Sequence, residues 1–191
     1  MLGTTLTLLI LSLALAADAF AAAVCNGAVA QPKPTLGGAL RIGAAFGGAQ
    51  AIMPLVGWAL GAMAVTIVRE LDHWIAFVLL ASIGAKMLWD SRTAPDCGPS
   101  APLMTGWALG AAALATSIDA AAAGVTLPMI GLPVVVSALT IGIVTLALST
   151  AGVVIGAAAG ARIGRSATIL GGVLLILLGV KILTEHLLGQ A

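Results

Sequence analysis

Long apolar runs constrain the fold of this chain more than any other feature. Six segments of the sequence are almost free of charged residues, and about 20 apolar residues suffice for a helix to cross a bilayer. Short polar or Pro/Gly-rich stretches separate them. The predicted spans are Thr4–Val24, Leu40–Val65, Leu71–Leu88, Leu103–Val125, Val134–Ala158 and Ala167–Leu187. With 61% hydrophobic and 8% charged residues, the chain is predicted to be an all-α polytopic membrane protein with six transmembrane helices.

The distribution of basic residues predicts the orientation, because Lys and Arg are enriched in cytoplasmic loops. An external N-terminus places six basic residues on the cytoplasmic side and two outside, and it also places the C-terminus outside. The six are Lys33, Arg41, Lys86, Arg92, Arg162 and Arg165, and the two are Arg69 and Lys181.

Four short similarities in the same order indicate an internal repeat. "SLALAADAFAAAV" (12–24) resembles "AALATSIDAAAAGV" (112–125), "ALRIG" resembles "ALTIG", "VGWALGA" resembles "IGAAAGA", and "IGAKML" resembles "LGVKIL". Each copy holds three spans, so the second copy enters the membrane from the opposite side. The sequence therefore predicts a single transporter domain, 1–191. It comprises two inverted three-helix repeats, about 1–89 and 102–191, joined by a cytoplasmic loop at about 90–101.

Two carboxylates, Asp18 and Asp119, lie deep inside predicted spans and align in the repeat. A central Asp costs roughly 2.5–3.5 kcal/mol to insert, so such residues usually mark a substrate, ion or proton pathway. The alternative is a structural carboxylate satisfied by neighbouring hydroxyls. A cleaved signal peptide is disfavoured, because "MLGTTLT" has no basic residue and the Asp-containing motif recurs a hundred residues later.

Further oxygen-bearing side chains accompany the two aspartates. The secondary candidates for a metal site are Gln50, Asn26, Thr116 and Ser149; a helix–helix hydrogen bond is the alternative role for each. Oxygen donors without internal His or Cys favour a hard divalent cation over Zn²⁺ or Cu⁺, and a proton pathway also fits. Cys25 and Cys97 match neither a CxxC motif nor a disulfide framework, so we expect a small buried residue and a loop thiol. No basic patch for nucleic acid is present.

The same residues carry a family resemblance. The segments "ADAFAAAVCNGA", "ALRIGAAFGGAQAIMPLVGWALG", "DHWIAFVLLASIGAKML", "ATSIDAAAAGV" and "ILGGVLLILLGVKIL" resemble those of the MntP-type manganese efflux pumps, within the LysE-like exporters. The resemblance covers nearly the whole chain except 90–101. It implies a bacterial inner-membrane exporter of Mn²⁺ in which Asp18 and Asp119 are the motif aspartates. Two positions depart from the family pattern: Ala16 stands where a Ser is usual, and Thr168 where an acid is frequent.

The leading hypothesis is a transporter, not an enzyme, with no cofactor. Mn²⁺ would be the substrate, the lipid bilayer the environment and protons a candidate counter-ion, and homo-oligomerisation is compatible with the glycine-rich helices. An intramembrane aspartyl protease fits poorly, since the contexts "ADAF" and "SIDA" differ from YD and GxGD motifs. A scaffold leaves the paired acids unexplained. The nearer alternative is a LysE-like exporter of another divalent cation or small solute.

Overall fold

The computed structural model describes residues 2–63 and 101–159, together with the single positions 78, 81, 82, 85, 88, 89, 97, 169, 173, 176, 177, 180 and 184. Within the two continuous ranges the helices are α1 (Leu2–Val29), α2 (Leu36–Met63), α3 (Gly106–Ala115), α4 (Ile118–Thr126) and α5 (Val134–Ala159). Four stretches are long and apolar enough to cross a membrane: Thr5–Val29, Leu36–Ala62, Gly106–Thr126 and Val134–Ala158. The described part is thus helical and multi-pass, as the sequence predicts.

The predicted loop between the first two spans is shorter in the structure. Helix α1 continues through Val29, so the assignment of residues 26–29 to the loop was wrong. Pro32 disfavours helical conformation at the residue before it, and the helix ends shortly ahead of it. Helix α2 begins after Thr35, whose hydroxyl accepts the Gly38 N–H at 3.2 Å, an N-terminal capping contact.

The third and sixth predicted spans lie outside the described residues, apart from single helical positions within each. Lys86 and Lys181, which the repeat aligns, lie outside them too. Of the basic residues that predict the orientation, the structure describes Lys33 and Arg41.

The fourth predicted span is interrupted near its middle. Helix α3 ends at Ala115 and α4 starts at Ile118. The Thr116 hydroxyl donates to the Ala112 carbonyl at 3.1 Å, and the Ser117 hydroxyl donates to the Ala113 carbonyl at 2.7 Å. Such side-chain bonds compete with the regular helical pattern and bend helices. The interruption places Asp119 in the first turn of α4, where the helix dipole favours a negative charge.

The helices pack through close backbone contacts at glycine. Helices α2 and α5 contact each other extensively, α1 packs mainly on α5, and α4 packs on α2. At several glycines the position of a Cβ is already filled by a backbone carbonyl of the neighbouring helix, and four of these contacts are the closest. The pairs are Gly27 with Val153, Gly156 with Val24, Gly57 with Ala121, and Gly124 with Pro54. Small residues allow this approach in a bilayer, where packing drives helix association.

Two apolar clusters form the buried core of the described part. The leucine cluster consists of Leu8, Leu11, Ala14, Leu15, Ala17, Ala123, Leu127, Leu132 and Ile141. The alanine cluster consists of Ala19, Ala23, Ala39, Ile42, Phe46, Leu109, Ala113 and Val153. The leucine cluster includes residues from the N-terminal half of α1, and the alanine cluster includes α1 residues nearer the C-terminal end of that helix. Along the bundle, the two clusters therefore lie at successive levels.

A disulfide joins Cys25 to Cys97, with a Cα–Cα distance of 5.2 Å. The expectation of two unpaired cysteines was wrong, because 72 residues separate them and only the fold brings them together. The same region is held by backbone bonds: Gln31 N–H donates to Ala101 O at 3.0 Å, and Ala101 N–H donates to Val29 O at 3.1 Å. Cys97 and Ala101 are thus both held near the C-terminal end of α1.

Removing this covalent link should lower stability. In the chain-entropy model a loop of this length is stabilised by roughly 4 kcal/mol, which corresponds to several degrees in Tm for a chain of this size. We expect dithiothreitol to lower the Tm of the wild-type protein in detergent to that of Cys97→Ser. The Tm of the Cys97→Ser protein should not change with the reductant. Equal Tm values for the wild type and Cys97→Ser, each with and without dithiothreitol, would contradict a stabilising disulfide.

Candidate functional site

A layer of polar residues separates the two apolar clusters. Along α1, α5 and the α3–α4 pair, polar residues lie between the residues of the alanine cluster and those of the leucine cluster. On α2 the polar residue Gln50 follows the residues of the alanine cluster. Asp18 stands between Ala17 and Ala19, which belong to different clusters. The polar layer comprises Asp18, Gln50, Thr116, Ser117, Asp119, Thr145 and Ser149. It lies close to the middle of α1, α2 and α5, where a bilayer is most apolar.

The two aspartates have the same local geometry. The Ala19 N–H donates to Asp18 Oδ1 at 2.6 Å, and the Ala120 N–H donates to Asp119 Oδ1 at 2.8 Å. Each carboxylate thus accepts a bond from the residue that follows it, and both side chains are partly buried. Near Asp119, the neighbours Ala120 and Ala123 are small and fully buried.

Gln50 connects the segments that carry the aspartates. Its amide nitrogen donates to the Leu15 carbonyl at 2.9 Å and lies 3.5 Å from the Thr116 carbonyl. Leu15 precedes Asp18 by three residues, and Thr116 precedes Asp119 by three. One fully buried amide therefore contacts equivalent carbonyls one turn before each carboxylate.

Several oxygen atoms of the polar layer lack a protein partner. Gln50 Oε1, Thr145 Oγ1 and Ser149 Oγ are buried and form no hydrogen bond to any described residue. A buried polar atom without a partner costs about 1–3 kcal/mol. Atoms left in this state at the centre of a bundle are available to a cation or to water.

Two of the secondary candidates use their side chains elsewhere. Asn26 Oδ1 accepts the Met104 N–H at 3.3 Å and so helps to fasten the segment before α3. The Thr116 hydroxyl bonds within α3, and its main-chain carbonyl faces Gln50. Neither bond is the helix–helix hydrogen bond considered as the alternative, and the ligand role of both residues stays a prediction. Ala16, which departs from the family pattern, is fully buried, and Thr168 lies outside the described residues.

The donor set of the polar layer is made of oxygen. Among the described residues no group of three or more His, Cys, Asp or Glu side chains could hold a metal. Two carboxylates with amide and hydroxyl oxygens suit hard divalent cations such as Mg²⁺, Ca²⁺ or Mn²⁺.

A cavity of about 340 Å³ lies away from the polar layer, near the C-terminal end of α1, between the α1–α2 loop and the segment before α3. Lys33 and Arg41 line it. Its positive charge disfavours a divalent cation, so this cavity does not compete with the polar layer as the candidate site.

Sequence reasoning missed three features of the site. It did not anticipate the helix interruption before Asp119, although the hydroxyl pair Thr116–Ser117 among alanines is a signal for it. It overlooked Thr145, which lies one turn from Ser149. The role of the Leu15 carbonyl has no signal in the sequence, because every residue carries a carbonyl.

Comparisons with known proteins agree in one family. A family model described as "Mntp: Putative manganese efflux pump" matches residues 33–183. A relative from Sorangium cellulosum is 48% identical over 94% of this chain and 96% of its own length, and one from Rhodopseudomonas palustris is 45% identical over 93% and 92%. Both carry the name "Putative manganese efflux pump MntP". An Escherichia coli relative, 41% identical over 94% of this chain and 96% of its own, is named "Probable manganese efflux pump MntP". No solved structure matches the chain.

Proposed function

Because this chain belongs to the MntP family of manganese efflux pumps, we propose that it exports Mn²⁺ from the cytoplasm across the bacterial inner membrane. The observation that carries the proposal for the site is the polar layer, in which Gln50 contacts equivalent carbonyls one turn before Asp18 and Asp119. The names of the relatives supply the metal, and the oxygen donors of this chain are compatible with it.

The primary ligands in this proposal are the carboxylates of Asp18 and Asp119. Gln50 Oε1 and Ser149 Oγ complete the set, since both are fully buried and lack a partner among the described residues. The Gln50 amide nitrogen is directed to main-chain carbonyls, so its oxygen is the end left for a cation. Thr116 and Asn26 would support the site through packing.

The proposed architecture is six spans in two inverted repeats. Two observations support it. The Leu15 and Thr116 carbonyls correspond under the repeat, and one amide contacts both. The disulfide holds Cys97 beside the C-terminal end of α1; because α2 crosses the membrane once between them, a further crossing between residues 63 and 97 is needed to return the chain to that side. The basic residues then place this side in the cytoplasm and both termini outside.

The proposed mechanism is alternating access between the repeats. Mn²⁺ enters from the cytoplasm through the alanine cluster, binds in the polar layer and leaves through the leucine cluster. Protons from outside neutralise the carboxylates and so release the cation on that side. The protonated site then turns to the cytoplasm, where loss of the protons restores both charges for the next Mn²⁺. Asp18 and Asp119 hold the cation in one phase and protons in the other.

A cation panel tests the function directly. The protein is expressed in a host lacking manganese exporters, and the cellular content of Mn²⁺, Mg²⁺, Ca²⁺, Zn²⁺ and Fe²⁺ is measured by mass spectrometry. We expect a decrease confined to Mn²⁺. A decrease in another cation with unchanged Mn²⁺ would favour the alternative, a LysE-like exporter of a different solute.

Replacing Gln50 by Leu should affect both stability and export. The nearly isosteric side chain leaves the Leu15 and Thr116 carbonyls without their amide donor, at a cost of about 1–3 kcal/mol, and it removes the proposed oxygen ligand. We expect a lower Tm in detergent and weaker Mn²⁺ tolerance in cells. Gln31→Leu is the matched control, since Gln31 is exposed; equal behaviour of the two variants would contradict the role of Gln50.

A further inference from the structure

A row of buried hydroxyls runs along α5 from the polar layer toward its N-terminal end. Ser149, Thr145 and Ser137 follow a spacing of four and eight residues, which keeps them on one slowly winding row of the helix. All three side chains are fully buried. From Ser149 to Ser137 the row extends about 18 Å along the helix axis.

None of these three hydroxyls has a hydrogen-bond partner among the described residues. Other hydroxyls of the same helix behave differently. Thr140 donates to the Val136 carbonyl at 2.8 Å, and Thr150 donates to the Leu146 carbonyl at 2.7 Å. A bond to the carbonyl four residues earlier is the usual solution for Ser and Thr in an apolar environment. The hydroxyls of the buried row do not use it.

The row passes through the leucine cluster. Ile141 belongs to that cluster and stands in the row between Thr145 and Ser137. The cluster also contains residues of α1 and of the segment around α4, which carry Asp18 and Asp119. Going from the proposed cation site toward the N-terminal end of α5, the row thus contains Thr145, then the apolar Ile141, and then Ser137.

We propose that Thr145, at the edge of the polar layer and outside the proposed ligand set, and Ser137 line the route by which the cation passes between those ligands and the Val134 end of α5. This inference rests on the proposed function. A divalent cation keeps hard oxygen donors around it, and hydroxyls spaced along the route replace water molecules as it moves. Ile141 closes the route between the two hydroxyls when no cation is passing.

The row fits a route better than a binding site. Along the axis, Ser149 and Thr145 are about 6 Å apart and Thr145 and Ser137 about 12 Å. Neutral oxygens also attract a cation far less than a carboxylate does. The cation is held at the aspartates and only stabilised in passing by the hydroxyls. Loss of one of them should therefore slow transport without weakening binding.

Cysteine labelling tests whether the route is hydrated. Thr145→Cys and Thr140→Cys proteins in native membranes are treated with a positively charged methanethiosulfonate, and the labelled fraction is followed by mass spectrometry. Mass spectrometry counts only the label on residue 145 or 140, so labelling of Cys25 or Cys97, which are present in both proteins, does not affect the comparison. Since only the hydrated thiolate reacts, Thr145→Cys should react at least about tenfold faster than Thr140→Cys. If only depth in the membrane mattered, Thr140→Cys would be labelled faster than Thr145→Cys, because Thr140 is nearer the end of α5.

Transport in proteoliposomes tests the role of the row. Thr145→Val and Ser137→Ala should each slow Mn²⁺ uptake about five- to tenfold, while Mn²⁺ affinity in detergent stays within about twofold of the wild type. Thr140→Val is the control and should transport normally. A Thr145→Val protein as fast as Thr140→Val, or a Thr145→Cys protein labelled no faster than Thr140→Cys, would overturn the inference. If vesicles with the wild-type protein take up no Mn²⁺ although Thr145→Cys is labelled quickly, the hydrated route is supported and the proposed function of manganese export is refuted.

Discussion

Replacing Asp18 by Asn is expected to reduce manganese export to the level of cells without the transporter, and Asp119→Asn is expected to do the same. Asn keeps the size of Asp and removes its charge. Even changes to groups that only support metal ligands cost 10–100-fold in affinity, so loss of a charged ligand should cost at least about 100-fold. If the two carboxylates hold one cation, as proposed, the double variant should be no worse than either single variant.

Cellular manganese and growth in excess Mn²⁺ measure this effect, with membrane abundance checked by immunoblotting. Ser12→Ala is a matched control on α1. Ser12 is fully buried like much of that helix, but its hydroxyl donates to the Leu8 carbonyl of its own helix at 2.8 Å. It should export normally. Wild-type tolerance in either Asn variant would exclude that aspartate from the site.

The second large effect is expected at Gly57. A methyl group there would occupy the space of the Ala121 carbonyl on α4, so Gly57→Ala must push α2 and α4 apart. Overpacking typically costs 1–3 kcal/mol, which corresponds to a decrease in Tm of about 2–12 °C in a chain of this size. The same displacement separates Gln50 from Thr116, so export should fall as well.

Thermal unfolding in detergent, followed by tryptophan fluorescence, measures the change. Gly48→Ala is the control on the same helix, because a Cβ at Gly48 meets no atom within 4 Å. Ala is the better helix former by about 0.5–1 kcal/mol, so this variant should be at least as stable as the wild type. Equal Tm values for Gly57→Ala and Gly48→Ala would refute the close contact.

The sequence predicts the membrane helices of the described part because bilayer thickness sets their length and apolar character. It predicts the family as well, through motifs that surround both aspartates, and the comparisons confirm this. The ligand roles of Asp18 and Asp119 stay a prediction, as do the six spans and their inversion.

Other features depend on three-dimensional packing and could not be read from the sequence. The Cys25–Cys97 bond joins residues that are remote in the chain. The register of α5 decides that Thr145 is buried and Thr140 partly exposed, although both are Thr in an apolar segment. Helix α1 passes through Asn26 and Gly27 because packing against α5 outweighs the weak helix propensity of these residues.

The two apolar clusters on either side of the polar layer have unequal composition, and under the proposed alternating-access mechanism they would serve as two gates of unequal strength. Five of the nine residues of the leucine cluster are Leu, whereas four of the eight residues of the alanine cluster are Ala. Wetting a gate costs free energy in proportion to the apolar area exposed, so the alanine gate is the easier one to open. Without a driving force, the site therefore faces the side of the alanine gate more often, and an exporter that loads on that side waits for its cargo with the opposite gate shut.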